Sequence, residues 1–505
     1  MPFVPLTAFA PDQPQIVVQA SNNIINVLPA TEASYGPFPS LQAYSSGIQS
    51  RCQGGIALQD TAGNVSVFAG DIANLYRLAS GSLAPAIVSD ASGYSTGSNE
   101  RWSFALFGLT VCATNYTNEP AGYTEGTSSL FAQLIQTGST TLKARYVATV
   151  RDWLVFGNTN DDTFGVKPQR IWWSAINDPT DFPIPGTSDA AAKLSDYQDI
   201  VGDHGWCMGI VGNLGGADAA ILMERAVWRM TQAGPPKIFD IVPLEGARGC
   251  PAPGSVVQHG SLFYYLSDEG FMKCDGASSD PIGRNKVDRF FYKEVDTGQL
   301  YRVTAAVDPV TGIVFWAYPT NGATSCNRIL AYNPSIDRWS VTATGAVEVE
   351  ILLRSLSFGY TIDSMDSLFP DADLVDISGD SRAWTGGRLL LSAFDTSHRL
   401  ANFNGTPLAA TVETQEANIF SGKRGLVTEV RPIIDGSTAS VSIGSRDNPA
   451  KPVVFGQPAP MQEGGQCLVL SAGRYQKARI TVPASIGWEH ISGIEITKAA
   501  PLGSR

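Results

Sequence analysis

Tyr146-Val-Ala-Thr-Val-Arg-Asp-Trp-Leu-Val-Phe-Gly-Asn158, followed about a dozen residues later by Arg170-Ile-Trp-Trp-Ser-Ala-Ile-Asn-Asp-Pro-Thr-Asp-Phe-Pro183, decides the fold class of this chain. Short apolar strands carry aromatic residues at their ends. They lead into a turn built from Asn177, Asp178, Pro179 and Asp181, residue types that favour chain reversal through backbone geometry and local hydrogen bonds. The stretch reads as one blade of a β-propeller. Trp153, Phe156, Trp172 and Trp173 are its expected packing positions, and Asp178, Pro179 and Asp181 set its hairpin. Trp339, in Arg338-Trp-Ser-Val341, closes a later unit in the same style.

Similar units recur on both sides. One runs from Gly54 to Leu78 with turns at Ala62-Gly63-Asn64 and Gly70-Asp71, and another from Arg101 to Leu134. Trp206-Cys-Met-Gly-Ile-Val211 pairs with Ala219–Met223 and Ala226–Met230. Ser255–Leu266 turns at Ser267-Asp-Glu-Gly270 into Phe271–Asp275, and Tyr301–Val341 supplies the last unit. With Ile56, Phe104, Trp153, Ala220, Phe263 and Val314 as comparable points, the period is about fifty residues, the range of kelch-like propellers and too long for leucine-rich repeats. The expectation is an irregular six-bladed propeller with neither a regular kelch double glycine nor a Trp-Asp repeat. One stretched interval, between Pro183 and Trp206, is expected to be an inserted loop or short helix on one face of the disc.

After about residue 355 the pattern changes. Residues 356–385 are polar, acidic and rich in turn formers, as in Asp363-Ser-Met-Asp-Ser-Leu-Phe-Pro-Asp-Ala-Asp373, and read as a linker or exposed loop. Strand candidates separated by turns then run from Arg388 to Thr497, which suggests a jelly-roll-like β-sandwich. The expected class is therefore all-β. A 1–45 N-terminal arm precedes a 46–355 propeller, and after the 356–385 linker comes a 386–505 sandwich platform. The arm, with Pro14–Val18 and Asn22–Leu28, adds a strand either to the sandwich or to a neighbouring subunit.

Composition narrows the function classes. The 505 residues are 43% hydrophobic and 16% charged, with 50 Gly and 31 Pro, which suits a globular chain of many short strands and turns. A net charge of −12 argues against a protein that grips nucleic acid by neutralising phosphates. The same charge suits a passage through which a duplex slides without sticking. Seven cysteines, Cys52, Cys112, Cys207, Cys250, Cys274, Cys326 and Cys467, stand singly and are expected as small buried hydrophobes. The N-terminus lacks a basic region followed by an apolar core, and no window approaches eighteen apolar residues, so neither a secretory signal nor a membrane-spanning segment is expected.

The motifs of chemistry are quiet. His204, His259, His398 and His490 are far apart and none sits at metal-ligand spacing from another. The glycine-rich Gly209–Gly216 lies between strands, away from any phosphate-binding fingerprint. Asp161-Asp162, Asp178 with Asp181, and Asp371 with Asp373 could serve as carboxylate pairs for glycoside hydrolysis, yet each lies beside turn-forming residues that explain it. Ser267-Asp-Glu-Gly-Phe271 only partly echoes the Asp-box turn of sialidase propellers. No catalytic, cofactor-binding or metal residue is assigned, no cofactor is expected, and the chain is not expected to be an enzyme.

Arg151-Asp-Trp-Leu-Val-Phe-Gly157, Arg170-Ile-Trp-Trp-Ser with Asn177-Asp-Pro-Thr-Asp-Phe-Pro183, and Gly260-Ser-Leu-Phe-Tyr-Tyr-Leu-Ser-Asp-Glu-Gly-Phe271 resemble the tail nozzle proteins of short-tailed bacteriophages. That family is also called tail tubular protein B or packaged-DNA stabilisation protein. The resemblance implies a structural virion protein, made in the host cytoplasm and placed in the virion tail. It would form a homohexameric ring below the adaptor that follows the portal. It would conduct duplex DNA through its lumen without reading sequence, retain the packaged genome until ejection, and offer docking surfaces for tail fibres or spikes. The segments 158–168 and 183–200 are the candidate gate loops. Two other classes remain open: a glycan-binding or glycan-hydrolysing propeller, which needs convergent carboxylates on one face, and a kelch-like protein-interaction scaffold, which needs no ring.

Overall fold

Residues 3–14, 20–80, 82–136, 139–358 and 386–503 are described by the structure, a computed structural model, together with the isolated positions 365, 366, 371, 375 and 384. The expected 356–385 linker and the Pro14–Val18 part of the arm therefore lie mostly outside the described residues. The chain is all-β, with helix confined to short pieces such as α1 (Ser188–Lys193) and α2 (Asp288–Glu294).

Successive antiparallel strands build four-stranded blades. Blade 1 is Gly54–Gln59, Val65–Gly70, Leu75–Ala79 and Ala86–Ile87; blade 2 is Ser103–Phe107, Thr110–Thr114, Ala121–Thr124 and Ala132–Gln133. Blade 3 is Leu142–Val150, Trp153–Asp161, Gly165–Trp173 and Asp196–Asp199, and blade 4 is Cys207–Gly212, Ala219–Met223, Val227–Gln232 and Phe239–Glu245. Blade 5 spans Val257–His259 to Ser279–Pro281, and blade 6 spans Thr304–Val307 to Arg338–Val341. A further sheet joins Val349–Leu356, Leu389–Asp395 and Arg399–Pro407 to the N-terminal strand Pro39–Gly47. It is blade 7.

The first strand of a blade lies innermost. Those of blades 1 to 4 neighbour one another in order, as do those of blades 5 to 7, and Val349–Leu356 of blade 7 touches Gly54–Gln59 of blade 1. Blades 4 and 5 join through Val211, Leu222 and Val227 against Phe263, Tyr265 and Met272. Every blade interface holds its own apolar cluster. This arrangement follows from the two-residue period of a strand, which sends alternate side chains to opposite faces. In blade 3, Trp153, Val155, Ile171 and Trp173 face blade 4, whereas Leu154, Phe156 and Trp172 face blade 2. Both faces are buried, so the strand reads as an unbroken apolar run. Each such side chain contributes about 1.5–3 kcal/mol by leaving water.

The class is the expected propeller with a β-sandwich, but the blade count is seven where the period suggested six. Blade 7 escapes a repeat scan because the 357–388 interval separates its first two strands and its outermost strand comes from near the N-terminus. The expected domain limits shift accordingly. Residues 389–407, assigned to the sandwich from sequence, complete the propeller, and 39–45 leave the arm as part of the Pro39–Gly47 strand that closes the ring. Joining the first and last parts of the chain in one blade pairs the edges of a sheet that would otherwise stay open.

The sandwich proper is built from the rest. One sheet orders Cys467–Gly473, Gly425–Ile434, Ile491–Pro501, Tyr35–Pro37 and Val27–Pro29, with Phe3–Pro5 also paired to Ile491–Pro501. The other holds Ala410–Glu413, Tyr475–Val482, Ser440–Arg446 and the short Val454–Phe455 and Ala459–Pro460. Ile24–Ile25 of the arm lies between Arg338–Val341 of blade 6 and Ala410–Glu413, so blade 6 and this sheet are continuous. The arm joins the sandwich of its own chain. Val412, Val441 and Ile480 of one sheet share a single core with Val430, Ile494 and Ile496 of the other, and this core runs on into Trp316 and Trp339 of blade 6.

Candidate functional site

The aromatic residues singled out from the sequence occupy blade interfaces. Trp153 and Trp173 both meet the ring of Phe239 edge-on, at 5.0 and 5.1 Å, and the Trp153 indole N–H donates to Leu194 O at 3.1 Å. Phe156 packs on Phe182, and Trp172 on Tyr197 and Phe164. Because Trp172 and Trp173 point to opposite faces of blade 3, they form no shared platform for a sugar. Trp339 is fully buried, stacked with Trp316 at 5.7 Å and against Tyr332 at 4.5 Å.

The carboxylates singled out are held by local partners. Asp178 accepts from the Thr180 N–H and hydroxyl at 2.9 and 2.7 Å, and Pro179 lies within that turn. Asp181 accepts from Ser139 Oγ at 3.1 Å and pairs with Lys193 at 2.8 Å. Burial opposes its ionisation, but Lys193 and Ser139 outweigh that and hold its carboxyl below the usual aspartate value. Asp161 caps the turn through the Thr163 and Phe164 N–H groups and faces Arg170 at 3.6 Å. Arg170 is itself buried, bidentate to Asp199 at 2.7 and 2.9 Å and stacked over Tyr197. Of Asp371 and Asp373, only Asp371 is described. The candidate gate segment 158–168 is mostly strand, interrupted only at 162–164, and 183–200 holds α1 and the outer strand of blade 3. The stretched interval thus contains a short helix, capped at its start by the Thr187 hydroxyl.

Sequence reading missed a polar cluster at one mouth of the propeller axis. It forms where the segments that lead into the first strands converge: Arg51 before blade 1, Arg101 before blade 2, Arg302 before blade 6 and Glu350 in blade 7. Arg101 reaches Val303 O of the blade 6 approach at 3.0 Å, and a Cβ at Gly254 before blade 5 would collide with its guanidinium. One side chain thus reaches from the blade 2 approach to those of blades 5 and 6. Behind it lies an axial cavity of about 540 Å³ between the first strands. Glu350 accepts from the Cys52 N–H at 2.7 Å and from His398 Nδ1 at 2.7 Å. Burial raises the Glu350 carboxyl above its ordinary value, against the lowering pull of Cys52 N–H, His398 and Arg51. Spacing could not reveal this cluster, because the seven-blade closure alone brings positions 51, 101, 302, 350 and 398 together.

The Glu350–His398 pair has the geometry of an oriented imidazole but no activated nucleophile beside it. Burial pushes the Cys52 thiol well above its ordinary value, and Cys326, also next to the arginines, is pushed up to about 12. A thiol so protonated is a poor attacking group. All seven cysteines are buried and free. Among the described residues no group of three or more His, Cys, Asp or Glu could hold a metal ion, and no helix is long and apolar enough to cross a membrane.

No family model matches the chain, and no curated protein sequence does either. Among solved structures, it is similar to a chain of a structure titled "Crystal structure of Nidogen/Laminin Complex", at 14% identity and a TM-score of 0.29, covering 49% of this chain and 94% of that one. So loose a superposition carries no function across. The propeller assignment rests on the closed order of the blades.

Proposed function

We propose that the chain is a structural, non-catalytic subunit of a closed ring in the tail of a short-tailed phage, a nozzle that conducts and retains duplex DNA. The family resemblance of its blade 3 and blade 5 sequences motivates the reading. The observation that carries it is an open apolar edge on the sandwich. Cys467–Gly473 is an edge strand whose alternate residues Leu468 and Leu470 are 58% and 78% exposed, and Val454 on the edge of the facing sheet is 68% exposed. Gly473 of the first edge strand comes close to Ser445 of Ser440–Arg446, the strand that pairs with Val454. An uncharged, apolar strand edge is a site for association.

A second exposed pair, Ile87 and Leu130, sits where the outer strands of blades 1 and 2 meet through the Phe131 N–H and Val88 O. Blades 1 and 2 stand two and three places round the seven-fold ring from blade 6, to which the sandwich is fused. Two unlike patches on separate parts of the molecule suit the heterologous contacts that generate rings. Since Arg101 reaches across the mouth of the propeller axis, the DNA path in this reading is the lumen of the ring of subunits.

Mass photometry and negative-stain imaging of the purified protein, alone and mixed with its adaptor ring, test the proposal. Six-fold rings are expected, and Leu468→Asp with Leu470→Asp should leave monomers with an unchanged circular dichroism spectrum. A wild-type chain that stays monomeric in both conditions would sink it. The imaged lumen should carry more Asp and Glu than Lys and Arg. One feature favours a second reading, a glycan-binding propeller: Trp206, 49% exposed, stands near Arg145 in a cleft with Asn99, Glu100 and Glu224. Binding of the wild type but not Trp206→Ala to a glycan array would support it.

A further inference from the structure

Charged side chains near the propeller axis are unequally matched. Arg145 has Glu100 at 2.7 Å, and the buried Arg170 and half-buried Arg446 elsewhere have Asp199 and Glu416. Arg51, Arg101 and Arg302 have no carboxylate within ion-pair distance among the described residues. Their recorded hydrogen bonds go to neutral oxygens: Arg51 to Ser98 O at 2.7 Å, Arg101 to Val303 O at 3.0 Å, and Arg302 to Thr324 O at 2.5 Å and Tyr301 Oη at 3.2 Å. All three are half-buried.

They also crowd one another. Burial first, and then the neighbouring guanidinium, holds Arg51 and Arg101 below the ordinary arginine value; Arg302 acts on Arg51, and Arg51 on Arg101. All three act on the same Cys326 thiol. The acids nearby are otherwise engaged. Glu350 is bound to Cys52 N–H and His398, and Glu348 accepts a long contact from Ser325 Oγ at 3.5 Å. Desolvated like charges with spare N–H donors are costly unless an anion joins them.

Space for that anion is present. A cavity of about 260 Å³ opens between Arg51, Arg302, Ser325, Thr324 and Thr396, with Glu348 and Glu350 also on its wall, while Arg101 lines the neighbouring axial cavity. Gly254 is the residue that lets the Arg101 guanidinium lie against the backbone. The hydroxyls add neutral donors to the guanidinium forks, a set matched to a tetrahedral oxyanion with several acceptor oxygens rather than to a carboxylate with two.

We propose that this mouth of the propeller is a binding site for a phosphate-class oxyanion, clamped by Arg51, Arg101 and Arg302. The source is either inorganic phosphate or the terminal phosphate of a small monoester. The site is independent of the ring-forming edge.

Calorimetric titration and thermal unfolding of the full chain, in sodium phosphate against sodium chloride at matched ionic strength, are the test. Phosphate should bind and raise Tm above the chloride control. Arg51→Gln, Arg101→Gln and Arg302→Gln should each weaken binding about tenfold, the loss of one charge-assisted contact. Gly254→Ala should weaken it with the charge unchanged, by displacing Arg101. If Arg101→Gln fails to fold, Arg51→Gln and Arg302→Gln carry the measurement. Glucose 6-phosphate binding as tightly as phosphate supports the monoester, and phosphate binding alone supports the free ion. Equal Tm in phosphate and chloride, or wild-type affinity in the arginine variants, overturns the site.

Discussion

Blade 3 and the sandwich are both stacks of antiparallel strands buried on their inner faces, but they are assembled differently. Blade 3 uses one continuous stretch, from Leu142 to Asp199, whose neighbours in sequence are neighbours in the sheet. The sandwich draws strands from the arm as well as from 410–501. Their interiors differ too. Blade 3 faces its neighbours with rings and aliphatic chains, and the Trp172 and Trp173 indole N–H groups have no partner; its buried Arg170, paired with Asp161 and Asp199, joins strands of the blade itself. In the sandwich the buried charge cluster reaches a distant segment: Glu413 accepts from Lys477 at 2.5 Å, Arg479 at 2.7 Å and Asn23 of the arm at 2.8 Å. Contiguous hairpins meet neighbouring blades through apolar complementarity, whereas a strand recruited from a distance is held in place by a specific polar contact.

The contrast can be broken at either end. The largest effect is expected from Trp172→Ala, which empties a ring-sized volume between blades 2 and 3 and should cost about 3–5 kcal/mol in chemical denaturation. Trp172→Phe should cost much less, because no hydrogen bond is lost. If both substitutions destabilise equally, aromatic packing is not what holds the blade.

Glu413→Gln comes next, at about 3 kcal/mol, since it leaves Lys477 and Arg479 without their counter-charge in a buried setting. This region also has a pH signature. Burial opposes ionisation of Glu413, but Lys477, Asn23 and Arg479 prevail and hold its carboxyl below 4.5. Its contribution is complete above pH 4.5 and is lost as pH falls through the depressed folded value. Asp288 at the start of α2 behaves in reverse. Burial pushes it up to about 6 from 3.8, so its effect on stability is favourable at low pH and fades as pH rises from 3.8 through 6. Denaturation curves between pH 3 and 7 should show the wild type losing a stabilising term on acidification that Glu413→Gln lacks, while Asp288→Asn removes the opposite slope.

The smallest expected effect is Asp178→Ala, about 1 kcal/mol, from the loss of its two hydrogen bonds to Thr180 in a half-buried turn. A change as large as that of Trp172→Ala would mean that the turn, rather than the ring packing, sets the geometry of blade 3.

Much of blade 3 was legible because its signals are local. Trp153 and Trp172 mark strands, and Asn177 to Asp181 mark the turn. The outer strands were harder to see: Ala86–Ile87 and Ala132–Gln133 are two residues each and carry no period. Blade 7 was invisible as a unit, since no local pattern relates Pro39–Gly47 to Arg399–Pro407. The same holds for the axial site. Arg101 looked like the first residue of a strand unit, and His398 like a lone histidine far from any other.

The sequence by itself determined the all-β class, the repeating blade, the lack of a recognisable catalytic motif, and the acidic balance. These depend on side-chain period and residue type over short stretches, where neighbours in the chain are neighbours in space. Tertiary structure alone decided the seventh blade, the capture of the arm between blade 6 and the sandwich, and the meeting of Arg51, Arg101 and Arg302 at the axis. Those depend on ring closure, a contact between distant parts of the chain that is set by how all the blade interfaces fill together and leaves no trace in any one segment.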